Sequence, residues 1–294
     1  MHNELQRFIT EKLPIIDAKL NSLLGDANVS ETLKSSMVYS INAGGKRIRP
    51  LLVLATIDDL GVESEDALTV ACAAELLHTY SLIHDDLPCM DDDDFRRGKP
   101  TNHIVYGEGV AVLAGDALQT LAFGSLTHLS ETSAEDTLRI IRLLANASGA
   151  AGMVGGQMLD IEGETKKLSL PELETIHINK TGALLSFCIG AGAILAGLNE
   201  EKSAKLENFA YHIGLAFQIQ DDILDITSTT EELGKTVGSD AISEKSTYPS
   251  LLGLEGASAR LAEHHQSAKD SLMFLETERP LLGLFADYIV ERKS

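Results

Sequence analysis

Along most of this chain apolar residues return every three to four positions, while strand-like alternation and Asn-Gly turns are scarce, and that pattern commits the sequence to helices. We expect an all-α fold with helices over about 3–24, 30–42, 47–61, 64–87, 109–130, 134–153, 170–197, 201–226, 257–276 and 278–292. Two segments resist the pattern. Leu87 to Gly107 carries Pro88, Gly98 and Pro100 among dense charges, and Gly234 to Pro249 is polar and glycine-containing, so both read as loops at helix ends, where function concentrates. Of the 294 residues, 44% are hydrophobic and 23% charged, enough apolar material for one large core, and we treat residues 1–294 as a single domain.

Charge removes several classes of function. Lys and Arg number 24 against 44 Asp and Glu, a net charge of -20, which disfavours nucleic acid and anionic membranes because a polyanion needs a basic face. The cysteines, Cys72, Cys89 and Cys188, form no CxxC pair, so neither a disulfide framework nor a thiolate zinc site is expected, and a reducing cytoplasm fits. The segment from Met1 to Gly25 mixes Glu4, Arg7, Glu11, Lys12 and Asp17 with apolar residues, unlike a signal peptide. No uninterrupted apolar run reaches membrane-spanning length, so no membrane insertion is expected.

Against this background two acidic clusters stand out. Asp85, Asp86, Asp91, Asp92, Asp93 and Asp94 place six carboxylates in ten residues at the end of an apolar helical pattern. Asp221, Asp222 and Asp225 form the second cluster, with Asp221 and Asp225 four apart on one helical face and Gln218 nearly in line. One acidic run is by itself most simply a solvated helix face. Here Asp221 and Asp222 lie between Phe217, Ile219, Ile223 and Leu224, where carboxylates without a partner are costly to desolvate. Hard oxygen ligands without Cys or paired His point to magnesium or another hard cation, and neither cluster has the ligand spacing of an EF-hand. Cations sit close by in sequence. Lys46, Arg47 and Arg49 follow the Gly44-Gly45 pair, and Arg96, Arg97 and Lys99 follow the first cluster, a juxtaposition suited to a metal-bound polyanion. Lys180, Lys235 and Lys245 are isolated lysines that would each, alone, be surface charges.

The stretch from Asp85 to Thr101 resembles the first aspartate-rich motif of the trans-isoprenyl diphosphate synthases. It is joined in family order by Gly44 to Pro50, Gly155 to Asp160, Lys180-Thr181-Gly182 and Phe217 to Asp225, so the resemblance covers nearly the whole chain. Four residues rather than two separate Asp86 from Asp91, which resembles the bacterial farnesyl and plant-type geranylgeranyl diphosphate synthases. The resemblance implies a helical bundle of the isoprenoid synthase type around a deep central cavity, and a homodimer. It implies that Asp85, Asp91 and Asp221 ligate magnesium, three ions per site, with Asp86, Asp222 and Asp225 in support. Arg96, Lys180, Thr181, Gln218, Lys235 and Lys245 would hold the allylic diphosphate; Lys46, Arg49, His78 and Arg97 would hold isopentenyl diphosphate. From the residue alone, His78 is a packed helix histidine. Lys180, Thr181, Gln218, Asp85 and Asp221 would form the catalytic set, with Lys180 and Thr181 turning carbonyl and hydroxyl dipoles toward an allylic cation.

The implied reaction is head-to-tail condensation of isopentenyl diphosphate with dimethylallyl and geranyl diphosphate. Tyr80 lies five residues before Asp85, about 7.5 Å along a helix at about 1.5 Å per residue, and next to the small Ser81 it is expected to close the floor under the growing chain. The plant-type geranylgeranyl enzymes tend to a non-aromatic residue there, so the aromatic one predicts a fifteen-carbon product, (E,E)-farnesyl diphosphate. Geranylgeranyl diphosphate synthesis is the alternative, and a non-catalytic partner subunit a further one, which would be expected to lack the aspartate clusters.

Overall fold

The helix spanning Ala67–Asp85, α4 below, is apolar nearly all the way round, and such a helix has to be surrounded. The computed structural model, which describes residues 2–25, 29–164, 166–228 and 246–292, surrounds it with α1 (Asn3–Gly25), α3 (Ile48–Asp59), α6 (Glu108–Leu126) and α10 (Ala183–Leu195). Ala71, Cys72, Ala73 and Ala74 keep its girth small, and all four are fully buried. The remaining helices are α2 (Glu31–Ile41), the short α5 (Asn102–Tyr106), α7 (Ala134–Ser148), α8 (Met153–Gly163), α9 (Leu170–His177), α11 (Glu200–Thr227), α12 (Tyr248–Ser271) and α13 (Leu281–Glu291). Among the described residues the sheet content is one two-stranded antiparallel ribbon, β1 (Phe95–Arg96) with β2 (Lys99–Pro100). The all-α expectation holds, and one contiguous core runs from α1 through α13.

Local chemistry fixes many of the ends. Ser133 accepts from the Asp136 amide at the start of α7, and Asn199 does the same for Lys202 at the start of α11, each satisfying a donor that the first turn leaves open. A capping box of Ser169 and Glu172 opens α9, where Pro171 needs no donor. Asp66 departs from this pattern. Instead of capping α4 it accepts from the amides of Ser130, Glu131 and Thr132 and from the Thr132 hydroxyl, tying the α6–α7 connection to the base of α4.

The structure differs from the sequence expectation at four places. The helix expected over 134–153 stops at Ser148, and α8 follows as a separate helix after the turn at Gly149 and Gly152. The expected loop from Leu87 to Gly107 contains α5. The helix expected from 257 begins at Tyr248 and bends at Gly253, whose φ of 71° no helix accommodates. The helix expected over 170–197 is broken by a π-helical turn, Ile178–Gly182. Two close backbone approaches meet there: the Gly156 Cα faces the Lys180 backbone and the Gly214 Cα faces that of Gly182, so α8 and α11 both pack directly on the turn.

By length and hydropathy Glu108–Leu126 and Leu170–Leu195 would each be able to span a membrane, with 39% and 50% of their apolar windows buried. In the fold both belong to the bundle, α6 against α4 and α2, α10 against α3, α7 and α11.

Candidate active site

At its C-terminal end α4 presents Asp85 and Asp86 and the chain doubles back at once. The Asp91 amide donates to the Asp85 carbonyl at 2.8 Å, and those of Met90 and Asp92 to the Leu87 carbonyl at 2.8 and 3.2 Å. That fold-back, helped by the left-handed Asp92, brings Asp91 to the same end of the helix as Asp85. Burial pushes the Asp85 carboxyl up to about 6, with Lys180 opposing the shift and Asp91 adding to it. Asp86 is also raised by burial, while Arg96, whose Nε donates to its Oδ1 at 2.6 Å, pulls the other way. Arg96, expected to hold a diphosphate, here bridges Asp86 and Asp93.

Lys180 sits in the π-helical turn, where the wider spacing re-aims its side chain, and its Nζ donates to Asp160 Oδ2 of α8 at 2.6 Å. It lines a cavity of about 230 Å³ with Asp160, Gln218, Asp221 and Asp222. Because the same ammonium also acts on Asp85, it links the two aspartate clusters across the mouth of the bundle. Thr181 follows it in the turn, half-buried. Asp222 accepts from the Tyr248 amide at 2.9 Å and joins α11 to α12, and Asp225 is 2% exposed. Lys235 and Lys245 lie outside the described residues.

A second, cationic group lies beside the first. The Arg97–Gly98 turn between β1 and β2 has positive φ at both residues, 54° and 73°, and directs the Arg97 guanidinium onto Gly45 and the Gly44 carbonyl. A Cβ at Gly45 would stand 2.5 Å from Arg97 Nη1, so glycine is what permits this approach. His78 is driven well below its ordinary value by burial and then by Arg49, Arg97, Arg96 and Arg47. Burial also lowers Arg49 and Lys46, Arg292 reinforcing the effect at Lys46, and Arg49 Nε is buried without a partner. A crowd of cations with an orphaned donor is a site shaped for an anion. Arg49, His78 and Arg97, drawn from three sequence segments, are thus brought together, while Lys46, from the same segment as Arg49, interacts with Arg292 and Asp221. Arg47 is not among them. Left-handed at φ 50°, it turns inward to Asp17 at 3.0 Å, Glu75 at 2.8 Å and the Ile41 carbonyl at 2.6 Å, and secures the segment to α1 and α4.

Below Asp85, Tyr80 is 5% exposed and meets His84 edge-on at 5.6 Å. His84 in turn approaches α6 so closely that a Cβ at Gly115 would lie 2.2 Å from its Nε2. Ser81 bonds back to the His78 carbonyl. Two groups escaped the sequence reading: Asp160, quoted only as part of a motif, and Arg292, which pairs with Asp221. Neither announces itself, since each partner is distant in sequence.

Among the described residues no three carboxylate, imidazole or thiolate groups converge as a complete metal site. Incomplete carboxylate sets fit magnesium, which ordinarily takes one or two carboxylates and completes its shell with water and substrate phosphate.

A model of the polyprenyl synthetase family matches residues 30–273. The chain is similar to a farnesyl diphosphate synthase of Bacillus subtilis, 51% identical with 99% of each chain covered, and to one of Geobacillus stearothermophilus, 47% identical with 98% of each covered. Among solved structures it is similar to an apo FPP/GFPP synthase from Zymomonas mobilis at a TM-score of 0.88 and 40% identity, over 99% of this chain and 100% of that one.

Proposed function

The chain belongs to the polyprenyl synthetase family, and from that premise we infer that it condenses isopentenyl diphosphate with dimethylallyl and then geranyl diphosphate to give (E,E)-farnesyl diphosphate and diphosphate. The observation that carries the reading is the pairing of two anion sites of different character: acidic residues around Lys180 on one side, and the Lys46, Arg49, His78 and Arg97 group on the other. The first suits a metal-bridged allylic diphosphate, the second a diphosphate held by cations alone.

Asp85 and Asp91 on one wall and Asp221 on the other are the proposed magnesium ligands, three ions per site with the substrate. What magnesium supplies there when bound is neutralisation of the charge that builds on the departing diphosphate. Lys180, with Gln218 and Arg96, holds that diphosphate while the carbon–oxygen bond ionises. Thr181, beside Lys180, turns its hydroxyl dipole toward the allylic cation. Lys46, Arg49, His78 and Arg97 fix isopentenyl diphosphate so that its double bond attacks the cation, and transfer of a proton to the released diphosphate completes the trans product. Tyr80 closes the floor against a fourth isoprene unit.

A homodimer is supported by the exposed apolar side chains Ile104 and Val105 on α5 and Val112 and Leu113 on α6, a helix whose apolar window is 39% buried in the fold. The net charge of -20 supports a cytoplasmic enzyme, taken as one domain, residues 1–294. The test is incubation of the purified protein with magnesium, isopentenyl diphosphate and either starter. A fifteen-carbon product that vanishes with chelator is expected; twenty carbons would assign geranylgeranyl synthesis, and no condensation would assign a partner subunit.

A further inference from the structure

Beyond the end of α13, Arg292 turns its side chain back onto α11. Its guanidinium is 7% exposed, pairs through Nη2 with Asp221 Oδ1 and donates to the Phe217 carbonyl at 3.0 Å. Its Cζ stands 4.2 Å from the centre of the Phe217 ring, while its own carbonyl accepts from Gln220 Nε2 at 3.1 Å, so backbone and side chain are both moored. A guanidinium desolvated to this extent needs an anion, and Asp221 supplies it. Yet Asp221 is the carboxylate proposed above as a magnesium ligand. The oxygen that holds Arg292 is thus taken before any metal arrives.

We infer that Arg292 is a positioning residue for the second aspartate cluster: it serves Asp221 as an internal counter-ion in the metal-free protein and competes with the incoming divalent cation for the same carboxylate. The inference rests on the reading of Asp221 as a ligand. Phe217 makes the exchange feasible, because its ring face and carbonyl engage the guanidinium independently of Asp221 and remain when that carboxylate is claimed. Arg292 thereby couples α13 to metal loading.

The experiment is titration of the purified full chain with Mn2+ in the presence of inorganic diphosphate, read by electron paramagnetic resonance of the free ion. Arg292→Gln is expected to bind Mn2+ about fivefold more tightly than the parent, a factor worth about 1 kcal/mol. Asp221→Asn is expected to weaken binding, and in that background Arg292→Gln is expected to have no further effect. If Arg292→Gln leaves the affinity unchanged, or tightens it equally in the Asp221→Asn background, a competing pair is refuted; the latter outcome means a long-range field on Asp85 and Asp91. If Asp221→Asn itself binds Mn2+ normally, the ligand assignment fails. Should Arg292→Gln melt early, Phe217→Leu takes its place: it removes the ring that receives the displaced guanidinium and no charge, so Mn2+ binding is expected to weaken, and an unchanged affinity refutes the competing pair.

Discussion

Gly156→Ala would move Lys180 without touching it. The added methyl would stand 2.2 Å from the Lys180 amide nitrogen and 2.6 Å from its Cα, where ordinary contact begins at 3.4 Å. One backbone must therefore yield by about 1.2 Å to restore van der Waals distance. The start of α8 is already tight against the preceding turn, with Gly152 and Gly155 close to the carbonyls of Ala147 and Ala150, so the displacement is expected to fall on the π-helical turn. A shift of about 1 Å in a substrate-positioning group costs on the order of a hundredfold in rate. That is about 2.7 kcal/mol of transition-state stabilisation. Initial rates at varied geranyl diphosphate, alongside thermal melting, give the answer. We expect kcat to fall about a hundredfold while the protein stays folded, and Lys180→Ala to add little in the Gly156→Ala background. A variant that melts like the parent and retains kcat within about threefold would show that the turn's position does not set Lys180's contribution.

Tyr80→Ala is expected to lengthen the product beyond fifteen carbons by opening the floor between α4 and α6; an unchanged product chromatogram would remove Tyr80 from that place. His212 and His264 face each other through Nδ1 atoms 2.8 Å apart, so one ring must accept, and burial pushes His264 down to about 4, with Arg260 and His212 adding to it and Glu174 and Glu263 opposing. Because the folded state takes up its proton later than the unfolded chain, stability is expected to decline as pH falls from about 6.5 to about 4, and His264→Gln should flatten the urea midpoint across that range. Asp66→Ala strands three amides and a hydroxyl at the α6–α7 connection and is expected to cost about 3 kcal/mol in urea unfolding. The same variant should retain kcat at low temperature, since the connection lies at the opposite end of α4 from Asp85.

Residues whose chemistry is declared by neighbours in the sequence were legible before any coordinates. Asp85 and Asp91 advertise themselves by crowding, and Asp221 and Asp225 by helical spacing, and the fold places each cluster at a helix end or on one helix face. The all-α class was legible for the same reason, because periodicity is a local signal. What resisted depends on contacts distant in sequence. Nothing in Gly44 to Pro50 says that Arg47 takes the ion pairs while Arg49 is buried with its Nε left without a partner; Glu75 and Asp17 decide it. Arg292 follows an apolar helix like any terminal cation, and only its meeting with Asp221, 71 residues away, gives it a task. The division of 134–163 into α7 and α8 was hidden because periodicity carries the expected helix to 153, across Gly149 and Gly152 where the fold turns, and only the fold shows Gly156, inside α8, approaching the π-helical turn.

That turn also bears on how the chain can change by insertion and deletion. A π-helical turn holds one residue more than the α-helix around it, so excising a single residue between Ile178 and Gly182 would leave a regular helix joining α9 to α10. Such a deletion, harmful almost anywhere else in a helical core, would here relieve a local irregularity. It would also rotate Lys180 away from the cavity by about 100°, the angle one α-helical residue subtends. With Lys180 in its proposed role, the deletion would exchange turnover for a more regular helix, so the extra residue is what keeps that side chain aimed at the cavity.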